Sequence, residues 1–222
     1  MLQEAMSSWT ATKGDGPPSA DGTWLQASLL PDVHHHSRLV RDYYWRGPLV
    51  EIASQLIGPN VKCATAQLTF KLRGNTRPFA WHQDNGYGHL EPASAVSCLT
   101  AFDDADEESG CLWVVPQSHR MGQLKSLTLE QKAAQAELAL EVDEATAAPV
   151  PMSAGDVLLM HCHMLHRSGG NHAPRDRRIL FLRYADADAV EVYNDAKPRL
   201  GKLVKGTSAF EEVTKFERHL EE

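Results

Sequence analysis

Gly155-Asp156-Val157-Leu158-Leu159-Met160-His161-Cys162-His163-Met164-Leu165-His166-Arg167-Ser168-Gly169-Gly170-Asn171 reads as a buried strand, Val157 to His161, that runs into a Gly-rich turn with three histidines near its exit. Eleven residues beyond His166, Arg177 opens Arg177-Arg178-Ile179-Leu180-Phe181, a basic residue at the mouth of the next strand. Period-two runs rich in branched and aromatic residues recur on both sides. They are Val61 to Lys71, Ala95 to Phe102, Cys111 to Val115 and Ile179 to Tyr184, separated by clusters of Gly, Pro, Asp and Asn. The chain is therefore expected to be mainly β.

Helical spacing appears only at the flanks and once between strands. From Arg38 to Ile57 the apolar positions recur at helical intervals; Pro48 can open a second helix there, and Gly58-Pro59 stops it. Leu129 to Leu140 is expected to be a helix, with Thr128 and Gln131 as its capping box. A closing helix is expected with Ser208 and Glu211 as its capping box and Phe210, Val213, Phe216 and Leu220 on one face. Helices before and after many short strands predict a sheet-on-sheet or barrel core with helical buttresses. Residues 1–22, polar and rich in Gly, Pro and Ser, are expected to form a flexible leader, and residues 23–222 a single domain.

Composition narrows the function classes. The 222 residues are 42% hydrophobic and 23% charged, enough for one domain with a buried core. Lys and Arg total 22 against 29 for Asp and Glu, a net charge of -7, and no basic run offers a phosphate stripe, so nucleic acid is not an expected partner. The same acidic balance counts against a CoA ester, which wants basic residues at a pocket mouth. No apolar run approaches the roughly 18 to 20 residues of a membrane span, and no signal-peptide core opens the chain, so a cytoplasmic protein is expected. Cys63, Cys98, Cys111 and Cys162 form no C-x-x-C pair and are expected to be reduced core residues. No G-x-G-x-x-G or G-x-x-x-x-G-K-[ST] loop is present, so no nucleotide cofactor is expected.

Histidine carries the chemical signal, with eleven copies. In Trp81-His82-Gln83-Asp84, strand geometry would turn the imidazole and the carboxylate to one face. Two histidines and one carboxylate on a metal leave three positions open, as in non-haem Fe(II) oxygenases, whereas a structural zinc site is closed by four ligands. An arginine placed like Arg177 can grip a carboxylate with two parallel hydrogen bonds. The His34-His35-His36 triplet reads as a solvated loop, and Arg167, Arg175 and Arg178 as surface or ion-paired residues. His161 reads as a satisfied strand histidine, with packing or hydrogen bonding near the site as the alternative.

These pieces occur in one order: Leu56-Ile57-Gly58-Pro59-Asn60-Val61, then Trp81-His82-Gln83-Asp84 with Tyr87, then Gly110-Cys111-Leu112-Trp113-Val114-Val115-Pro116-Gln117-Ser118-His119, then Gly155 through Asn171, then Arg177. In that order and spacing the chain resembles the phytanoyl-CoA dioxygenase-like branch of the Fe(II)- and 2-oxoglutarate-dependent oxygenases, over roughly residues 38 to 185. The resemblance implies a double-stranded β-helix, the cupin-like jelly roll, with His82, Asp84 and His166 as iron ligands and Arg177 as anchor for the distal carboxylate of 2-oxoglutarate. It implies further co-substrate contacts from Ser168 and Gln67. The implied reaction uses O2 to hydroxylate a C-H bond of a small-molecule substrate, with 2-oxoglutarate leaving as succinate and CO2.

Three positions depart from the family pattern. Leu99 stands where the family often has Trp, Gln117 where it usually has Gly, and no lysine near Leu30 matches a co-substrate lysine of relatives. Gln117 is expected to be tolerated if its backbone angle is ordinary. The alternative to an enzyme is a jelly-roll protein of this family that keeps metal and serves in binding or regulation without turnover.

Overall fold

The computed structural model describes residues 29–134 and 136–221, so the expected leader lies outside the described residues. Strand β1 (Leu29–Pro31) is followed by three helices, α1 (Val33–His36), α2 (Arg38–Arg46) and α3 (Pro48–Ile57). Ser37 caps α2 by accepting from Val40 N-H; Pro48 fills the first turn of α3, and Gly58 ends it at φ 123°. The expected two-helix reading holds to the residue at Pro48 and Gly58.

The major sheet is built from β1, β2 (Val61–Lys71), β10 (Arg177–Asp186), β5 (Ala95–Ala101) and β8 (Val157–His161) in that order, with β13 (Leu203–Lys205) also on β2. A second antiparallel sheet orders β3 (Phe79–His82), β9 (His166–Ser168), β6 (Leu112–Val114) and β7 (Ala148–Val150). A small ribbon joins β12 (Lys197–Pro198), β11 (Val190–Glu191) and β4 (Leu90–Glu91). The two larger sheets enclose the cavity between them as a jelly roll.

Alternation along β10 explains the layering. Leu180, Leu182 and Tyr184 face the helices and join Val40, Tyr44, Leu49, Leu68 and Phe70 in the main core. Arg177, Phe181 and Arg183 face the other way, into the cavity. Where β2 slips register against Arg183 and Tyr184, the spare backbone groups need partners. Tyr44, 1% exposed, supplies them: its hydroxyl accepts from Ala64 N-H (2.9 Å) and Thr65 N-H (3.0 Å) and donates to the Arg183 carbonyl (2.7 Å). A helix residue thus fixes the strand position from which Arg183 enters the cavity. All four cysteines are buried and free. No helix among the described residues is long and apolar enough to cross a membrane.

Four local expectations are corrected. The inserted helix is only α5 (Leu129–Ala133); the Thr128–Gln131 capping box forms, but beyond it the chain is captured by tertiary bonds, Leu138 N-H to the Tyr87 hydroxyl and Leu140 N-H to the Trp81 carbonyl. The last helix is α6 (Glu211–Lys215), capped by Phe210, because the Ser208 hydroxyl is taken by Asp188 and accepts from Phe210 N-H. Gln117 is left-handed at φ 64°, not ordinary, a conformation costing about 1 kcal/mol in a non-glycine residue.

The fourth correction is the histidine triplet, which forms α1 rather than a loop. His34 is buried, and the Nε2 atoms of His34 and His35 both reach Glu217 Oε1, at 3.3 and 2.6 Å, clasping the helical flank to the C-terminal segment. The hydrogen bond to Glu217 raises the His35 pKa above 6.5. Burial works against charge on Glu217, but the hydrogen bonds from His34 and His35 prevail and bring its pKa from 4.5 down to about 2. Glu217's contribution is present above 4.5 and is lost as pH falls through about 2. His35's is present below 6.5 and is lost as pH rises through its elevated value. The clasp should therefore be strongest from about pH 4.5 to 6.5. A thermal-unfolding series in pH should show this window in the wild type and a flatter profile in Glu217→Gln.

Candidate functional site

β3 ends at His82, Gln83 is extended, and Asp84 opens the short helix α4 (Asp84–Tyr87). The imidazole and carboxylate thus converge across a strand end, not along one strand face as expected. Gln83, fully buried, pins this turn: its amide donates to the Gly122 and His163 carbonyls and its Oε1 accepts from Leu124 N-H. Gly86 is required beside it, since a Cβ there would stand 2.6 Å from both the Leu138 side chain and the Lys125 carbonyl.

β9 pairs with β3 so that His166 lies opposite His82, with ring centroids 4.1 Å apart. Each ring is oriented through Nδ1, His82 to the Ala80 carbonyl (2.8 Å) and His166 to the Met164 carbonyl (2.9 Å). These bonds assign the proton to Nδ1 and leave both Nε2 lone pairs free. The Nε2 atoms face Asp84 Oδ1 at 3.8 and 3.4 Å, while Asp84 Oδ2 accepts from the Ser97 hydroxyl at 2.5 Å. Burial opposes charge on Asp84, but His166 and His82 outweigh it and hold the carboxyl far below its usual range. Burial and the neighbouring His166 push His82 down to about 3. On His166 the opposing effect of burial is overcome by Asp84, which raises its pKa. Three donors share one point, and their other polar atoms are already bonded, which is the donor chemistry of an open-sided divalent metal site.

The three residues border a cavity of about 300 Å³ with walls formed by Phe79, Leu90, Leu99, Leu112 and Phe181. Arg177, Ser168 and Gln67, all expected co-substrate contacts, line the same cavity. Ser168 follows from strand alternation, two residues past His166 on β9. Arg177 is 3% exposed; its Nη1 reaches Thr69 Oγ1 at 3.5 Å and its Nε has no hydrogen-bond partner, so a buried cation is left under-satisfied inside the cavity. Leu99 is on the cavity wall.

Lys71 was not found by reading the sequence. It pairs with Arg177 across β2 and β10, is 2% exposed, and is pulled down to about 7 by burial and then by the Arg177 charge. Its signal was present as the last period-two position after Gln67 and Thr69. Lys132 and Arg183 were also missed and line the cavity as well. Other histidines lie elsewhere: His161 is exposed, and His163 meets Asn85 at 3.4 Å. Among the described residues two further groups bring metal-type donors together, His161-Cys162-His163 and His34-His35-Glu217, so His166 clusters with His82 and Asp84 rather than with its sequence neighbours.

Phytanoyl-CoA dioxygenase 1 of Oryza sativa subsp. japonica is 28% identical over 117 residues, 50% of this chain and 40% of that protein. Methylphosphonate hydroxylase of Gimesia maris is 29% identical over 167 residues, 72% of this chain and 60% of that protein. The chain spans about half the length of the curated relatives it matches. The solved structure of the non-heme monooxygenase ThoJ shares the fold at a TM-score of 0.68, with 22% identity over 93% of this chain and 74% of that one. The model of the phytanoyl-CoA dioxygenase (PhyH) family matches residues 19–179, well over half the sequence, and the chain accordingly belongs to this family of Fe(II)- and 2-oxoglutarate-dependent dioxygenases.

Proposed function

We propose that the protein is an Fe(II)- and 2-oxoglutarate-dependent dioxygenase that hydroxylates a C-H bond of a small molecule. The observation that carries this reading is the meeting of His82 Nε2, His166 Nε2 and Asp84 Oδ1 in a cavity that also holds an under-satisfied buried arginine. Fe(II), when bound, supplies dioxygen activation, while 2-oxoglutarate gives two electrons as it decarboxylates to succinate and CO2.

The chain's own residues do the positioning. His82 and His166, fixed through Nδ1, present neutral nitrogens, and Ser97 holds one Asp84 oxygen so that the other would be free to hold a metal. Arg177 offers two parallel donors to the distal carboxylate of 2-oxoglutarate, with Ser168 and Gln67 on adjacent walls. Phe79, Leu112 and Phe181 exclude bulk water, which strengthens every charge interaction inside.

Anaerobic addition of Fe(II) and then 2-oxoglutarate should give a weak visible charge-transfer band, and admission of air should release succinate. Turnover that requires NADPH and ignores 2-oxoglutarate would overturn the reading. Metal and 2-oxoglutarate binding with no succinate, even across a broad panel of small acids and amines, would instead favour a binding or regulatory protein.

A further inference from the structure

We propose that Lys132 and Arg183 form an anion-binding subsite on the metal side of the cavity, and that the substrate is a small molecule carrying an oxyanion, a carboxylate or a phosphate-type group. The proposal rests on the oxygenase reading of the same cavity.

The chain is acidic overall, yet its cavity is basic. Lys71, Lys132, Arg167, Arg177, Arg183 and Arg199 line it against two carboxylates, Asp84 and Glu191. Four of the cations have a place. Lys71 and Arg177 form the co-substrate end, Arg167 pairs with Glu144, and Arg199 pairs with Glu191 at 2.8 Å. Both carboxylates are engaged as well, Asp84 with the metal-type donors and Glu191 with Arg199 and Asn194. Lys132 and Arg183 remain, and neither makes an ion pair among the described residues.

Their setting is that of a built site. Arg183 is 5% exposed; one nitrogen donates to Asn85 Oδ1 at 2.6 Å, and its Nε has no partner. It lies opposite Ser97 in the β10–β5 register, and Ser97 holds Asp84, so Arg183 belongs to the strand row nearest the metal. Lys132 arrives from the far side on α5 and donates only to neutral oxygens, the Tyr87 carbonyl (2.5 Å) and the Tyr193 hydroxyl (3.1 Å). Between them the wall residue is Gly88. A Cβ there would stand 3.6 Å from Lys132 Nζ and 3.9 Å from Arg183 Nη1, so two cations flank a position with no side chain. Burial, then the Arg199 and Arg183 charges, bring Lys132 down to about 8 against the opposing pull of Glu191. A metal held by Asp84 would offset the one carboxylate that Arg183 is shown to act on, and an incoming oxyanion would complement the cation that remains.

Calorimetry on protein saturated with Mn(II) and 2-oxoglutarate tests this, with ethyl phosphate and butyrate titrated separately. At least one should bind the wild type, and the stronger of the two identifies the acid class. Lys132→Gln should weaken that binding by roughly tenfold or more. Gly88→Asp should abolish it and raise Tm, because the new carboxylate satisfies both cations. Arg183 itself is left intact because it also holds Asn85 beside the metal turn. If 2-oxoglutarate fails to bind in the first step, the oxygenase reading falls and the subsite falls with it. If 2-oxoglutarate binds but neither anion does, or both variants bind as the wild type does, the subsite alone is overturned.

Discussion

Asp84→Ala should abolish Fe(II) binding while leaving the fold intact. Asp84 is the only carboxylate among the three converging donors, and its Oδ1 lies within 3.8 Å of both Nε2 atoms. Loss of a group that merely orients a ligand costs about 10- to 100-fold in metal affinity, so loss of the sole anionic donor should exceed that range. The fold should survive because Asp84 is bound mainly to site residues. The removal leaves Ser97 to find water and ends the charge that keeps His166 protonation favourable, so His166 should titrate lower in the metal-free variant. Anaerobic Fe(II) calorimetry, with His163→Ala as comparison, decides the matter. His163 belongs to the rival donor group beside His161 and Cys162, so its removal should leave Fe(II) affinity unchanged. Retained binding in Asp84→Ala with loss in His163→Ala would move the metal to the other cluster.

What the sequence made legible were features that local rules encode. β2 runs from Val61 to Lys71 and β8 from Val157 to His161, as their period-two patterns require, and Pro48 and Gly58 bound α3. His82, Asp84, His166, Arg177, Ser168 and Gln67 all border one cavity; strand alternation sets which face each strand residue takes, and the pairing of β3 with β9 and of β2 with β10 brings them together. Features set by long-range contacts were not legible. The clasp of His34 and His35 joins Glu217 across more than 180 residues, and a polar triplet looks the same in a loop. The inserted helix ends early because Trp81 and Tyr87 take its backbone, and that crossing delivers Lys132 to the cavity. Net charge misled in a similar way: the chain as a whole carries -7, yet the inward faces of β2 and β10 collect Lys71, Arg177 and Arg183. The alternation of Arg177, Ile179, Phe181 and Arg183 was readable, but the expected strand began at Ile179, which hid the equivalence of its two arginines.

Arg177→Ala should raise the 2-oxoglutarate requirement by roughly thirty-fold to a few thousand-fold, the loss expected when about 2 to 5 kcal/mol of a desolvated charge pair is removed. Fe(II) binding should be nearly unchanged, since Arg177 touches none of the three donors. Stability of the metal-free protein should not fall as it would for a paired arginine: the cation is 3% exposed with an unbonded Nε, and burial alone brings it down to about 10. Arg178 provides the reverse case. Its Nε and Nη2 grip Asp103 at 2.7 and 2.6 Å, and it stands on the opposite face of β10, so Arg178→Ala should lower Tm and leave 2-oxoglutarate affinity intact. Lys71 adds a pH signature. With Arg177 gone, its pKa should climb from about 7, because one of the charges depressing it has been removed, and Lys71 becomes the remaining cation at that end. Co-substrate affinity in Arg177→Ala should then decline as pH rises through the Lys71 value, whereas the wild type, anchored by a guanidinium that stays charged, should change little between pH 7 and about 9. Titrations of 2-oxoglutarate at several pH values in both variants separate these roles. If Arg178→Ala is the variant that loses co-substrate, the anchor lies on the other face of β10 and Arg177 is only a buried charge.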